Sequence, residues 1–249
     1  MLTIELAGVG KSYCSKRSKI PVHALKDVCA KFEGSGVVAI VGPDGAGKTT
    51  LLNCMCGLDR FTSGDVLING DSAIKYDERA WDSFRAQCVS FLFKDFNLVD
   101  SLNIVDNVAM GLAFNGTPRF VARKHAKEAL SQVGFDGKMS AVPADLTPVQ
   151  KQLACIARAI VKNPDVILAD EPTGSLDSAS GARVMEALQT ASKECLVIVA
   201  THDGNLADKY ATRRFDLFDG QMAPALAKSF APVDAGFAEI GRASCRERV

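Results

Sequence analysis

Residues 37–49 read Val37-Val38-Ala39-Ile40-Val41-Gly42-Pro43-Asp44-Gly45-Ala46-Gly47-Lys48-Thr49. The unbroken apolar run Val37–Val41 suits a strand buried on both faces, and a glycine-rich turn carries it into Thr49-Thr50-Leu51-Leu52, where a helix begins. Strand, glycine turn and helix start, in that order, make a phosphate-binding loop. Glycine admits backbone conformations closed to other residues, so the N–H groups of Gly42, Asp44, Gly45, Ala46 and Gly47 can turn inward around a phosphate. The helix opening at Thr49 and Thr50 adds the positive end of its dipole. Lys48 reaches the outer phosphates and the Thr49 hydroxyl suits Mg²⁺. The stretch predicts a binder of a nucleoside triphosphate.

Further strands are expected over 2–9 and 24–32, and at Gly64–Gly70, closed by an Asn-Gly turn. Buried strands are expected at Val166–Ala169 and Leu196–Ala200, and a last strand at Phe215–Phe218 before Asp219-Gly220. From Tyr76 to about Gly134 the pattern is mixed and helical, with a clear helix over Val121–Leu130. Helical character resumes over Pro148–Val161 and Ser180–Ser192. Strands alternating with helices imply an α/β fold with a mainly parallel sheet. The basic stretch Lys16–Lys19 reads as a solvated turn.

Ligands of open parallel sheets bind at strand carboxyl ends. Asp170 and Glu171 follow one buried strand and Thr201-His202-Asp203 follows the next, so both groups should face the site made by Lys48. Asp170 is placed to hold Mg²⁺ beside Thr49. Glu171 can polarise a water for attack on the γ-phosphate. A lone histidine is usually structural, but at this edge His202 is read as reaching the γ-phosphate or the attacking water.

Composition sets the bounds. The 249 residues allow one large domain or two small ones, and 47% hydrophobic with 23% charged residues is globular. Lys plus Arg (29) equals Asp plus Glu (29), so no global basic charge argues for nucleic acid. No apolar run approaches the ~18 residues of a membrane span, and Met1–Leu6 lacks the basic start and apolar region of a secretion signal. The eight cysteines are scattered without metal-ligand spacing and read as small apolar residues of a reducing compartment. The last eleven residues, 239–249, resemble the translation of a sequencing-adapter oligonucleotide, so an artefact is expected there and a C-terminal extension over 223–238.

The run Asp170-Glu171-Pro172-Thr173-Gly174-Ser175-Leu176-Asp177, with Val199-Ala200-Thr201-His202-Asp203, resembles the ATP-binding subunit of ABC transporters. Ile156–Ile160, Lys11-Ser12-Tyr13, and Phe93–Leu98 followed by Asn107-Val108 match its other motifs, so that the resemblance covers residues 2 to about 222. Within that family it looks closest to the lipoprotein-release and macrolide-export members. The resemblance implies a P-loop NTPase with an antiparallel β subdomain and an inserted helical subdomain at about 80–160. It implies ATP and Mg²⁺ as ligands, Tyr13 stacking on adenine, and Asp177 in the D-loop. The partners implied are a membrane permease and a second ATP-binding subunit, identical or different, with the chain peripheral on the cytoplasmic face of the membrane.

Two departures stand out. The family signature Leu-Ser-Gly-Gly-Gln is here Leu146-Thr147-Pro148-Val149-Gln150. In the family each signature caps the ATP held by the opposite subunit. Thr147 keeps a hydroxyl and Gln150 is unchanged, but Pro148 has no N–H and Val149 adds bulk where backbone must approach phosphate. Lys94 stands where the family has a glutamine, and an ammonium only donates. The expectation is a weakly active homodimer, or a pairing with a different ATPase whose signature is intact. Competing readings are a regulatory subunit that hydrolyses poorly and a soluble ABC protein of DNA repair or translation. The latter's coiled coils, zinc motifs and linked second unit do not occur in this sequence.

Overall fold

The run that opens on Val37 is the middle of a six-stranded sheet in the computed structural model, which describes residues 2–14, 21–113 and 116–223. That strand, β3 (Gly36–Val41), lies between β8 (Leu196–Thr201) and β9 (Arg213–Phe218), parallel to both. The sheet continues through β7 (Val166–Asp170) to β6 (Val89–Leu92), also parallel, and β10 (Gln221–Met222) closes the other edge antiparallel to β9. A second, four-stranded antiparallel sheet has the order β2–β1–β4–β5, from β1 (Ile4–Tyr13), β2 (Val22–Phe32), β4 (Ser63–Ile68) and β5 (Asp71–Ser72). The Asn-Gly turn is present between β4 and β5, with Asn69 at φ 52° and Gly70 at φ 86°.

The apolar runs of the parallel strands are unbroken because both sheet faces are covered. Along β8, Leu196, Ile198 and Ala200 face a core shared with α1 (Lys48–Met55), the antiparallel sheet, and Trp81 and Phe84 of α2 (Glu78–Gln87). Val197 and Val199 face the opposite core, filled by α3 (Ile104–Ala113), α4 (Arg119–Gln132), α5 (Pro148–Ile160) and α6 (Ser178–Ala191). The two-residue period of a strand sends neighbours to opposite layers. The last helix is α7 (Gly204–Tyr210).

The α/β class with a parallel and an antiparallel sheet is the one expected. Inside the segment read as mixed and helical, however, β6 is a strand of the main sheet, and α2 packs toward the antiparallel sheet. The helices of the opposite layer begin at Ile104. The basic stretch 16–19, the extension beyond 223 and the suspected artefact at 239–249 lie outside the described residues. No helix among the described residues is long and apolar enough to cross a membrane.

Candidate nucleotide site

The glycine turn sits at the carboxyl end of β3 and caps α1. Gly47 is the N-cap, at φ 102°, and a Cβ there would lie 2.4 Å from the Ala24 carbonyl oxygen. Gly42 is constrained by packing alone, since a Cβ would meet the Leu217 carbonyl oxygen at 2.2 Å. Both spacings are well inside van der Waals contact, so the turn admits no side chain at either position. Beside the turn is a cavity of about 450 Å³ lined by Asp44, Gly45, Gly47, Lys48, Thr49, Thr50, Ala24, Lys94 and Glu171.

Lys48 is buried. Its Nζ donates to the carbonyl oxygens of Gly42 (2.8 Å) and Pro43 (3.1 Å) and stands 3.1 Å from Glu171 Oε1. Glu171 Oε2 lies 2.9 Å from His202 Nδ1, so one buried carboxylate joins the loop lysine to the histidine of the neighbouring strand. Glu171 holds φ 46°, a conformation that costs a non-glycine residue about 1–3 kcal/mol. Its N–H donates to the Ala200 carbonyl of β8 at 2.9 Å, which holds the turn in place. Asp44, Glu171 and His202 bring ligand atoms within 4.8 Å of one another.

Thr49 Oγ1 donates to Asp170 Oδ2 at 2.8 Å. Burial holds the Asp170 carboxyl above the usual carboxylate range, aided by the neighbouring Glu171 charge and opposed by Thr49, Lys48 and Lys94. Its other oxygen, Oδ1, is buried without a hydrogen-bond partner. A hydroxyl beside an unpaired buried carboxylate oxygen is a donor set for a hard cation such as Mg²⁺.

The remaining sequence-predicted residues do not line this cavity. Tyr13 is partly exposed, with its hydroxyl 2.6 Å from Asp59 Oδ2 and 3.5 Å from Thr50 Oγ1, so it neighbours the cavity through Thr50. Burial and the Asp59 hydrogen bond push that phenol up. Thr147, Gln150 and Asp177 line a second cavity, of about 400 Å³, with Asp136, Ser175 and Arg183. Thr147 and Gln150 form a reciprocal cap at the start of α5: Gln150 N–H donates to Thr147 Oγ1 (3.3 Å) and Thr147 N–H to Gln150 Oε1 (3.1 Å). Gln150 Nε2 and Arg183 both donate to Asp136. Asp177 caps α6, accepting from Ala179 N–H and Ser180 N–H, each at 3.0 Å.

Two supporting residues escaped the sequence reading. Arg158 donates to the carbonyls of Asn97 (2.6 Å) and Phe96 (2.9 Å), tying the segment after Lys94 to α5. Asn107, fully buried, closes the turn 99–103 by accepting from Val99 N–H and donating to Val99, Leu102 and Asn103 carbonyls. Both lie within quoted motifs, but their contacts are set by tertiary structure and have no local signal.

The family model described as ABC transporter matches residues 25–174. The chain belongs to the ABC transporter family. It is 35% identical over 204 residues to the lipoprotein-releasing system ATP-binding protein LolD 1 of Rhodopirellula baltica, covering 81% of this chain and 89% of that one. It is 36% identical over 220 residues to the macrolide export ATP-binding/permease protein MacB of Sodalis glossinidius, covering 88% of this chain but 33% of that one. The chain thus spans about a third of the length of the MacB relatives it matches. Among solved structures, the dimeric post-hydrolysis ATP-binding cassette MJ0796 bound to ADP and Pi matches with a TM-score of 0.81 at 32% identity, covering 91% of this chain and all of that one. The chain is an ATP-binding cassette, as its motifs implied.

Proposed function

We propose that this cassette binds and hydrolyses ATP to energise a membrane transporter, with nucleotide driving two cassettes together. The observation that carries the reading is the meeting of Lys48, Thr49, Asp170, Glu171 and His202 around one turn at the strand carboxyl edge. Asp44, Gly45 and Gly47 supply backbone N–H groups to the phosphates, with Lys48 on the outer ones, whereas the N–H groups of Gly42 and Ala46, expected from the sequence to do the same, already donate to the Thr201 and Pro43 carbonyls, each at 3.2 Å. Thr49 and Asp170 would hold Mg²⁺, which would supply positive charge against the phosphates. Glu171 accepts a proton from the attacking water, and His202, hydrogen-bonded to it, steadies that carboxylate. Tyr13, whose hydroxyl lies 3.5 Å from Thr50 Oγ1 at the cavity wall, would stack on the adenine base.

The partners proposed are a permease and a second cassette, which places the chain on the cytoplasmic side of a membrane. No nucleic acid is expected. The dimeric MJ0796 structures support the second cassette, and relatives named for lipoprotein release and macrolide export support the permease. Thr147, Gln150 and Asp177 line a cavity apart from the phosphate loop, which suits contact with nucleotide held by the other subunit. The cap at the start of α5 favours a second reading, a subunit that hydrolyses slowly with its own copy and pairs with a different cassette. Pro148 has no N–H and the Gln150 N–H is engaged by Thr147.

Titrating a fluorescent ATP analogue with magnesium against the parent, Lys48→Ala and Glu171→Gln tests the assignment. Lys48→Ala should lose binding. Glu171→Gln should keep it while turnover falls about 10²–10⁴-fold. Undiminished affinity in Lys48→Ala would refute the site.

A further inference from the structure

We propose that Lys94 is a built-in cation of the phosphate cavity, contacting the outer phosphates directly so that this cassette holds a triphosphate with reduced dependence on a divalent ion. The proposal rests on the nucleotide reading of the cavity and adds to it a residue that sets metal dependence. Lys94 lines the cavity together with Lys48, Thr49 and Glu171. Its place follows from register: Leu92 of β6 pairs with Ala169 of β7, so two residues further on Lys94 stands at the same sheet edge as Asp170. The Arg158 hydrogen bonds to Phe96 and Asn97 hold the chain just beyond it.

The balance of charge makes this position consequential. Three carboxylates, Asp44, Asp170 and Glu171, stand around the loop, and a triphosphate adds further negative charge. Lys48 is already shared among two carbonyls and Glu171. Lys94 forms no hydrogen bond or ion pair with any described residue, and its charge acts on Asp170 against the effect of burial. It is therefore the cavity cation whose donors remain uncommitted. An ammonium also repels a divalent ion held by Asp170 and Thr49, which lowers what that ion adds to affinity.

The test is a titration of the whole chain with a fluorescent ATP analogue, in magnesium and in excess EDTA, for the parent, Lys94→Gln and Lys94→Arg. Charged hydrogen bonds of about 1.5–3 kcal/mol correspond to about 10–150-fold in affinity. The parent should lose less than about tenfold on chelation, and Lys94→Arg should behave like it. On passing from magnesium to EDTA, Lys94→Gln should lose at least about tenfold more affinity than the parent does. Equal magnesium-to-EDTA ratios in the parent and Lys94→Gln, with binding intact, would overturn the role of Lys94 alone. A parent that bound no triphosphate in either buffer would overturn the cavity reading and this proposal together.

Discussion

Replacing Pro148 with glycine should make this cassette a faster ATPase and a less stable protein. At the start of α5, Thr147 N–H goes to the Gln150 side chain, Pro148 has no N–H, and Gln150 N–H goes to the Thr147 hydroxyl. Only Val149 keeps a first-turn N–H outside that cap. Glycine at 148 restores one donor on the face that would meet the phosphate held by a second copy, worth about 1.5–3 kcal/mol per capped phosphate. That is about 10–150-fold in the equilibrium for ATP-driven dimerisation at each site. Against it, proline at the first helical position is pre-organised, and its loss together with glycine's extra freedom costs about 1–2 kcal/mol. For a domain of this size that lowers Tm by about 2–8 °C. The assay pairs turnover with sedimentation of the Glu171→Gln background in ATP, where dimers accumulate. A variant whose Tm falls as expected, with dimerisation and turnover unchanged, would show that residue 148 meets no phosphate and refute the reasoning.

Arg158→Ala should loosen the segment holding Lys94, since the guanidinium ties both Phe96 and Asn97 to α5, with the Cys155 thiol, 3.1 Å from the Phe96 carbonyl oxygen, as a second and weaker tie. A loss of about 1.5–3 kcal/mol by urea unfolding is expected, together with a weaker contribution of Lys94 to binding in EDTA; unchanged unfolding would argue against the tether. Asp106 is half-buried, and its partial desolvation alone would raise its pKa, yet ion pairing with Arg123 and Arg119 of α4 and a hydrogen bond from Asn103 hold it below the usual carboxylate range. Its stabilising effect is therefore full above the ordinary carboxylate pKa and fades as pH falls from there through the depressed value. Asp106→Asn should lower Tm near neutral pH and converge with the parent in strong acid, and a gap that persisted there would contradict the ion-pair account.

Much of the site is legible in the sequence because its parts are local. The turn 42–49 is contiguous, and Asp170, Glu171 and His202 follow apolar runs whose β character is plain. Strand β6 was hidden because Ser90 breaks its apolar run; the hydroxyl is buried all the same, donating to the Ala159 carbonyl at 2.7 Å. Helix α7 was hidden by Asp203-Gly204-Asn205, which reads as a turn until Asp203 is seen capping the helix through Asn205 and Leu206. The positive φ of Glu171 also had no sequence signal, since glutamate, unlike glycine, asparagine or aspartate, has no local preference for it.

The division of the predicted residues between two cavities has a physical consequence. Lys48, Thr49 and Glu171 line one; Thr147, Gln150 and Asp177 line the other. In this chain the second group spends its polar atoms on its own helices: Thr147 and Gln150 cap α5, and Asp177 caps α6. The Gln150 N–H and Nε2 donors are already engaged, by Thr147 and Asp136, and an engaged donor contributes less to binding than a free one; the Thr147 hydroxyl accepts in this cap and keeps its own proton to donate. The phosphate loop is therefore the side of this cassette prepared for nucleotide, and the α5 side is prepared mainly for its own stability. An asymmetric pair, in which another cassette supplies the signature to the Lys48 site, uses the first without demanding the second.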